Sequence, residues 1–453
     1  MIFGFQGKKV AVFGAGRSGV SAAKALVKAG AKPIVCDDAS ESSPQIVNVA
    51  HKLTSIGAEI RGGFGGDFAS LGVSAVVTSP GVPKKHPALL KAVNEGIEVL
   101  SEIELAYRIS KAPIVAVTGT NGKSTTTVMA WLALRGAEKN ALLCGNIYGS
   151  GYEEFPLTDA AAVASSDAIL VAEVSSFQLE WIRDFKPRSA GITRIVPDHL
   201  NRYDEFDEYA RTKMRIFENQ DDSDTAVIKE GDNVVLPPSR PRVVTFGPDG
   251  DAKVTPDALV YKSVRLPWQE IRLVVEHNKL NAAMALLLAE GALGDEADLD
   301  KLVEGLRRFH GLAHRMELVG EKNGILVINN SMCTNPEAVE SSARGLLRTQ
   351  HILMGGVNKE LGFTRLGEFL SEAGHSVYLY GQDALILDMQ LSQVPVERRH
   401  CCVTLTEAFA RAASRAKPGE AIVLSPGCAS FDQFKDFTER GEVFRMIAKE
   451  WLG

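Results

Sequence analysis

Short apolar runs recur along the chain. Each is closed by a glycine-rich or polar turn, and many are followed by a longer stretch with helical spacing. Val10-Ala-Val-Phe13 is closed by Gly14-Ala15-Gly16 and followed by an alanine-rich segment to Ala29 and Gly30. Pro33-Ile-Val-Cys36 ends in Asp37-Asp38, Ala75-Val-Val-Thr78 enters Ser79-Pro80-Gly81-Val82-Pro83, and Ile114-Val-Ala-Val-Thr118 enters Gly119-Thr-Asn-Gly122. Further runs end at Gly145-Asn146-Ile147, at Glu173 and near Val196. The last third repeats the theme at Ile325-Leu-Val-Ile328, His351-Ile-Leu-Met354, Val377-Tyr-Leu-Tyr380 and Ala421-Ile-Val-Leu424. Short continuous apolar runs suit strands buried on both faces, and their alternation with helical stretches predicts an α/β protein built on parallel sheets.

The punctuation divides the chain. A helical stretch over 102–110 stops before Pro113, where a fresh strand begins, and a second break falls around Phe309-His310-Gly311-Leu312. Three domains are expected: a Rossmann-like domain over 1–101, a central mononucleotide-binding domain with a phosphate loop over 102–311, and a second Rossmann-like domain over 312–453. In the last, Ser425-Pro-Gly-Cys-Ala-Ser430 reads as a strand-end turn leading into a final helix.

Composition narrows the classes. The 453 residues are 45% hydrophobic and 23% charged, ordinary for a globular chain of two or three domains. A net charge of −6 gives no general attraction to nucleic acid or to an anionic membrane, so anion binding must be local. Six scattered cysteines without a C-x-x-C argue against a zinc module or disulfide framework and suit a reducing cytoplasm. The apolar run after Lys8-Lys9 is interrupted at once by Gly14, and the run at 282–289 is stopped by Glu290, so neither a signal segment nor a membrane span is expected.

The chemistry concentrates after the strand at 114–118. Gly119 and Gly122 permit a tight turn with inward N–H groups, the following helix adds the positive end of its dipole, and Lys123 adds a point charge for a nucleotide's outer phosphates. Ser124 or Thr125 then suits Mg²⁺. Val117 stands where the first glycine of G-x-x-x-x-G-K-[ST] belongs, so the pattern is imperfect. Glu173, closing an apolar strand in the same domain, reads as a metal-binding carboxylate. Gly14, Gly16 and Gly19 fit G-x-G-x-x-G, and Asp37 suits either a ribose or base edge or the capping of its own turn. By spacing alone His199 is a structural histidine, Lys213 a charge on an amphipathic helix, and Asn278 a helix cap.

Seven segments together, Thr118-Gly-Thr-Asn-Gly-Lys-Ser-Thr125, Gly145-Asn146-Ile147, Glu173-Val-Ser-Ser-Phe-Gln178, Asp198-His199, His277-Asn278, Gly311-Leu-Ala-His-Arg315 and Ser425-Pro-Gly-Cys-Ala-Ser430, resemble the Mur ligases in order and spacing over the whole chain. The Gly14–Asp37 region, Ser79-Pro80-Gly81 and Ser430-x-Asp432-x-Phe434 most resemble the members that add the second amino acid of the peptidoglycan stem. The resemblance implies a cytoplasmic, monomeric, ATP-dependent acid–amino-acid ligase that joins glutamate, as the D-enantiomer, to UDP-N-acetylmuramoyl-L-alanine through an acyl phosphate. It implies that Ser18, Asp37, Ser79, Asn146 and His199 hold the UDP substrate. ATP falls to Gly119, Thr120, Asn121, Gly122, Lys123, Ser124, Thr125, Asn278 and Arg315, and the incoming glutamate to Thr334, Lys359, Ser430 and Phe437. Two Mg²⁺ ions would be held by Ser124, Glu173, His199 and a carbamoylated Lys213. Lys123, Glu173, His199, Lys213 and Arg315 would form the catalytic set.

Three positions depart from the family: Asn330 where an aspartate is usual, Met332 where a lysine is usual, and Asn201 where an aspartate is common. These leave two alternatives in play, a ligase with another acidic acceptor and a non-catalytic nucleotide-binding relative. A nicotinamide oxidoreductase would explain Gly14-Ala15-Gly16 and Asp37 but neither the phosphate loop nor the C-terminal block.

Overall fold

The computed structural model describes residues 4–199, 202–238, 240–358 and 361–453; Lys359 and Asn201 lie outside the described residues. The first region runs β1 (Lys9–Phe13), α1 (Arg17–Lys28), β2 (Lys32–Cys36), α2 (Pro44–Ser55), β3 (Glu59–Arg61), β4 (Ala75–Thr78), α3 (Pro87–Asn94) and β5 (Glu98–Ser101). Its sheet has the order β3-β2-β1-β4-β5 and is parallel throughout. β1 and β4 are buried almost end to end, as their uninterrupted apolar runs require. The turn after β1 needs its glycines: Gly14 has φ +103°, and a Cβ on Gly19 would stand 1.8 Å from the Gly14 carbonyl oxygen.

The middle region begins without a linker. α4 (Glu102–Ile109) follows β5 directly, with the Ser101 hydroxyl capping it by accepting the Glu104 N–H. Then come β6 (Ile114–Thr118), α5 (Lys123–Gly136), β7 (Asn140–Gly145), α6 (Leu157–Val163), β8 (Ala168–Glu173), α7 (Ser176–Leu179), β9 (Ser189–Ile192) and α8 (Phe206–Met214). β10 (Thr225–Lys229), β11 (Arg242–Gly247), β12 (Ala252–Val254), β13 (Ala258–Tyr261) and β14 (Val264–Pro267) extend the sheet before α9 (Asn278–Leu293) and α10 (Leu299–Arg307). The nine strands lie in the order β14-β13-β12-β11-β10-β9-β6-β8-β7, with β6 flanked by β8 and β9 and only β12–β14 antiparallel. Ligands of open α/β sheets collect at the carboxyl ends of such central strands, where the phosphate loop leaves β6.

The third region contains β15 (Glu317–Lys322), β16 (Ile325–Asn329), α11 (Pro336–Gly345), β17 (Gln350–Gly355), α12 (Thr364–Glu372), β18 (Ser376–Tyr380), α13 (Ala384–Gln390), β19 (Arg399–Cys401), α14 (Leu405–Ala413), β20 (Ala421–Gly427) and α15 (Phe437–Leu452). Its sheet runs β15-β16-β20-β17-β18-β19, parallel except for the β15–β16 hairpin. β20 does not stop at Leu424 as its apolar run suggests; it continues through Pro426 to Gly427. The β17–β20 ladder shifts register between Leu353 and Gly355, so Pro426 sits where the ladder is interrupted and its missing N–H costs no bond.

By compactness the chain falls into two units. One holds the first two sheets, with residues through Tyr148, Glu153–Ile271 and Lys279–Phe309; the other holds the third sheet, with Gly149–Tyr152, Arg272–Asn278 and His310–Gly453. No helix among the described residues is long and apolar enough to cross a membrane. All six cysteines are free thiols.

Candidate active site

The loop between β6 and α5 is a cradle for anionic oxygens. Gly119 has φ +145° and Gly122 φ +88°, conformations closed to other L-residues at little cost. A Cβ on Gly119 would lie 2.0 Å from the Thr193 hydroxyl, and one on Gly122 would lie 2.7 Å from Asn281 Oδ1. The end of β9 braces the loop: the Thr193 hydroxyl donates to the Asn121 carbonyl at 2.6 Å, and the Thr120 N–H donates to the Arg194 carbonyl at 2.6 Å. Thr120 Oγ1 also pairs with the Tyr209 hydroxyl at 3.0 Å. Lys123 opens α5 and donates to the Thr120 carbonyl at 2.9 Å, so its charge lies over the loop beside a helix N-terminus.

Below the loop, Ser124 and Glu173 meet. The buried Ser124 hydroxyl donates to one oxygen of the buried Glu173 carboxylate, and Asn146 Nδ2 donates to the other at 3.0 Å. Gly145 lets these strands approach, since a Cβ there would stand 2.2 Å from the Glu173 carbonyl oxygen. A hydroxyl and a carboxylate are hard oxygen donors of the kind Mg²⁺ takes when phosphate oxygens and water complete its shell. Among the described residues no group of three or more His, Cys, Asp or Glu side chains is placed to hold a metal ion.

Lys213 is not a solvated charge on α8. Its side chain is 2% exposed and donates to the Gly119 carbonyl at 2.7 Å. Burial first, and then repulsion by Lys123, bring its pKa down to about 7. His199 has backbone φ +55° and packs its ring 4.8 Å from that of Phe177 and 6.1 Å from that of Tyr209. Burial, helped by Lys213 and Lys123, lowers the His199 pKa and keeps a neutral imidazole available as a ligand.

Among the residues expected to hold the UDP substrate, Ser18 and Asn146 line one cavity of about 470 Å³ together with Arg17, Glu102 and Gln178. That volume suits part of a nucleotide-sugar. Glu102 accepts from the Thr158 N–H and hydroxyl and from Gln178 Nε2, and burial raises its pKa. Asp37 lies in the adjoining turn: one carboxylate oxygen accepts the Ala15 N–H at 2.7 Å and the other the Ala39 N–H at 2.9 Å, so it fixes the glycine turn. Ser79 does the same from the turn just after β4, donating to the Gly14 carbonyl at 3.2 Å.

In the second unit, Arg315 sits between two non-glycine residues in left-handed backbone, His314 (φ +60°) and Met316 (φ +44°), a concentration of strain typical of functional turns. Thr334 lies in the loop between β16 and α11, Ser430 is buried just after β20, and Phe437 opens α15. These segments are bound together: the Ser331 hydroxyl donates to the Phe437 carbonyl at 2.7 Å, and the Gly427 N–H to the Cys333 carbonyl at 3.0 Å. Asn278 is the first residue of α9.

Four residues that sequence reasoning passed over are prominent. Asn281 packs on Gly122, Arg17 reaches the Ile147 carbonyl at 3.2 Å, and Arg202 ties the first two sheets together. Arg440 on α15 is fully buried and donates to the Ser331 hydroxyl and to the Ser331 and Cys428 carbonyls, fastening the loop around Thr334 to the end of β20. Only Arg17, inside the glycine turn, had a local signal; an arginine in a charged helix reads as solvated.

Comparison with known proteins agrees with this arrangement along the chain. Residues 8–101 match the Mur ligase MurD-like N-terminal domain, residues 117–289 the Mur ligase middle domain, and residues 314–428 the Mur ligase glutamate ligase domain. The chain is 37% identical over 460 residues to the UDP-N-acetylmuramoylalanine–D-glutamate ligase of Pelotomaculum thermopropionicum, covering 99% of this chain and 98% of the relative. It is 36% identical to the enzyme of the same name from Caldanaerobacter subterraneus subsp. tengcongensis, covering 97% of each. The UDP-N-acetylmuramate-alanine ligase structure from Thermotoga maritima superposes with a TM-score of 0.59 at 18% identity, covering 98% of this chain and all of that one. The fold and site define an α/β nucleotide-binding protein, and the chain belongs to the Mur ligase family.

Proposed function

We propose that this chain is an ATP-dependent ligase of peptidoglycan precursor synthesis, forming an amide between the alanine carboxylate of UDP-N-acetylmuramoyl-L-alanine and the amine of D-glutamate. The observation that carries the reading is the full-length similarity to enzymes of that name, borne on a chain that keeps the braced phosphate loop and the Ser124–Glu173 pair. Residues 1–101 hold the UDP end, 102–311 hold ATP, and 312–453 receive the amino acid. The protein works as a cytoplasmic monomer.

In this reading the loop N–H groups and Lys123 bind the ATP phosphates, with Asn278 and Arg315 as further nucleotide contacts. Ser124, Glu173, His199 and Lys213, the last as a carbamate, are the protein's donors for two Mg²⁺ ions. Bound Mg²⁺ supplies neutralisation of the phosphate oxygens. The substrate carboxylate attacks the γ-phosphorus in line, giving an acyl phosphate and ADP. The glutamate amine attacks the acyl carbon, and the tetrahedral intermediate collapses with loss of inorganic phosphate and a proton. Lys123 and Arg315 stabilise the charge on the transferring group, while Thr334, Ser430, Phe437 and Lys359 hold the amino diacid. Asp37 and Ser79 act chiefly by shaping the glycine turn beside Ser18.

The test is ADP release by the purified protein with ATP, Mg²⁺ and UDP-N-acetylmuramoyl-L-alanine against a panel of D- and L-amino acids. Release that requires both the nucleotide-sugar and D-glutamate is expected. Release with another amino acid only, or none, would refute the assignment.

A further inference from the structure

Arg202 joins the regions of the first two sheets through several hydrogen bonds. Its Nε and Nη2 both donate to the Glu180 carboxylate, whose side chain is 2% exposed. Its Nη1 donates to the Pro80 carbonyl at 2.9 Å and its Nη2 to the Val82 carbonyl at 3.0 Å. The guanidinium carbon lies 4.0 Å from the centroid of the Phe177 ring, and that ring lies 4.8 Å from the His199 ring. The planar fork is thus shared among a buried carboxylate of the middle region, two main-chain carbonyls of the turn after β4, and the aromatic platform on which His199 rests. That turn matters to the glycine loop: Ser79 donates its hydroxyl to the Gly14 carbonyl and its N–H to the Phe13 carbonyl, and the Val82 N–H returns to the Ser79 carbonyl at 3.0 Å.

We infer that Arg202 is a positioning residue for the nucleotide-sugar: it fixes the 79–82 turn, and through it the glycine turn of the UDP end, in register with the His199 side of the middle domain. This rests on the function proposed above. Arginine is required because only a guanidinium presents enough donors in one plane to hold a bidentate carboxylate and two carbonyls together; an ammonium satisfies the charge of Glu180 and leaves the turn carbonyls without their clamp. The hydrogen bonds of Arg202 named here run to Glu180, Pro80 and Val82, whereas the phosphate loop is reached only at a remove, through His199 and Tyr209, so the expected effect falls first on the nucleotide-sugar.

Two variants separate positioning from folding. Arg202→Lys keeps a cation beside Glu180. Arg202→Met combined with Glu180→Met removes both charges and avoids stranding a buried carboxylate. For each, the melting temperature, the KM values for UDP-N-acetylmuramoyl-L-alanine and for ATP, and the amide exchange of Ser79, Gly81 and Val82 are measured. The expected result is a nucleotide-sugar KM raised about tenfold or more, as misplacement of a binding element by a fraction of an ångström produces, with ATP KM little changed, melting close to the parent, and faster exchange in the turn. KM values that rise together, or turn amides that exchange as in the parent, would overturn the inference. Should the parent protein show no ligase activity, the failure belongs to the proposed function; exchange at the turn and titration with UDP then decide the role of Arg202 on their own, unchanged exchange and unchanged UDP affinity counting against it.

Discussion

Lys213, on α8, donates its ammonium to the carbonyl of Gly119 in the phosphate loop at 2.7 Å while 98% of its surface is withdrawn from water. A pKa brought down to about 7 leaves a large neutral fraction under ordinary conditions. The neutral amine is the form that adds to carbon dioxide, giving a carbamate and releasing a proton. The product exchanges a cation crowded by Lys123 for an anion suited to a metal site. Lys213→Ala is therefore expected to be inactive and to recover part of its activity when a short carboxylate is supplied in solution. A plain amine at Lys213 in the active, metal-loaded enzyme, seen by crystallography, would remove the basis for this expectation.

The position of Lys123 leads to a second expectation. It caps the loop that would hold the outer phosphates, whereas the cavity lined by Ser18 and Asn146 is formed by other segments. Lys123→Ala should reduce kcat by about a hundredfold or more, the usual cost of deleting a charge-stabilising donor, while UDP-N-acetylmuramoyl-L-alanine still binds in a calorimetric titration. Turnover near that of the parent would show that the loop does not serve ATP.

Much of this site was legible because its chemistry is local. Gly119, Gly122 and Lys123 are consecutive or nearly so, and the strand ends at Thr118 and Glu173 follow from apolar runs buried on both faces. What escaped was tertiary. The strands from Thr225 to Pro267 are short and interspersed with polar residues, and β13 and β14 form an antiparallel edge, so no long apolar run announces them. The burial of Lys213 contradicts the amphipathic reading of its helix, because Tyr209 and the loop carbonyl cover a face that spacing alone assigns to solvent. Arg202 and Arg440 likewise find their acceptors in segments distant in sequence, more than a hundred positions away in some cases, and no spacing rule reaches that far.

His375 gives the second-unit fold an acid limit. The residue is 5% exposed, its Nδ1 accepts the Gln350 N–H at 3.2 Å, and burial, followed by the charge of Arg398, lowers its pKa from 6.5 to about 4. The folded pKa lies below the unfolded one, so this contribution to stability is whole above pH 6.5 and is lost as the pH falls from there through 4, where the unfolded chain takes a proton that the folded chain refuses. The loss amounts to about 3 kcal/mol at its limit. His375→Gln, which keeps an acceptor for Gln350, should flatten the dependence of unfolding free energy on pH across that window. An unchanged slope in urea unfolding between pH 6.5 and 4 would assign acid sensitivity to other groups.

The last expectation concerns Met332 and Asn330, two positions where the family resemblance implies a lysine and an aspartate. Asn330 is buried and satisfied at both ends of its amide: Oδ1 accepts the Met316 N–H at 3.2 Å and Nδ2 donates to the Ser425 hydroxyl at 3.2 Å. An aspartate could keep both contacts, because a serine hydroxyl can turn to donate where it now accepts. Met332 is half-buried, and its N–H donates to the His314 carbonyl at 3.1 Å, a main-chain tie that does not depend on the side chain. The loop should therefore carry a lysine at 332 without unfolding. If this loop serves the nucleotide, as the family resemblance implies, Met332→Lys restores a cation near an anionic ligand and lowers the ATP KM by about fivefold, roughly 1 kcal/mol. The nucleotide-sugar KM should stay constant, and adding Asn330→Asp should give more than the sum of the two changes, since the carboxylate orients the new ammonium. If Met332 instead seals apolar packing, the lysine buries a charge at a cost in stability. Melting temperature and ATP KM measured on the same variant distinguish the outcomes, and a lowered melting temperature with an unchanged ATP KM would remove this loop from the nucleotide site.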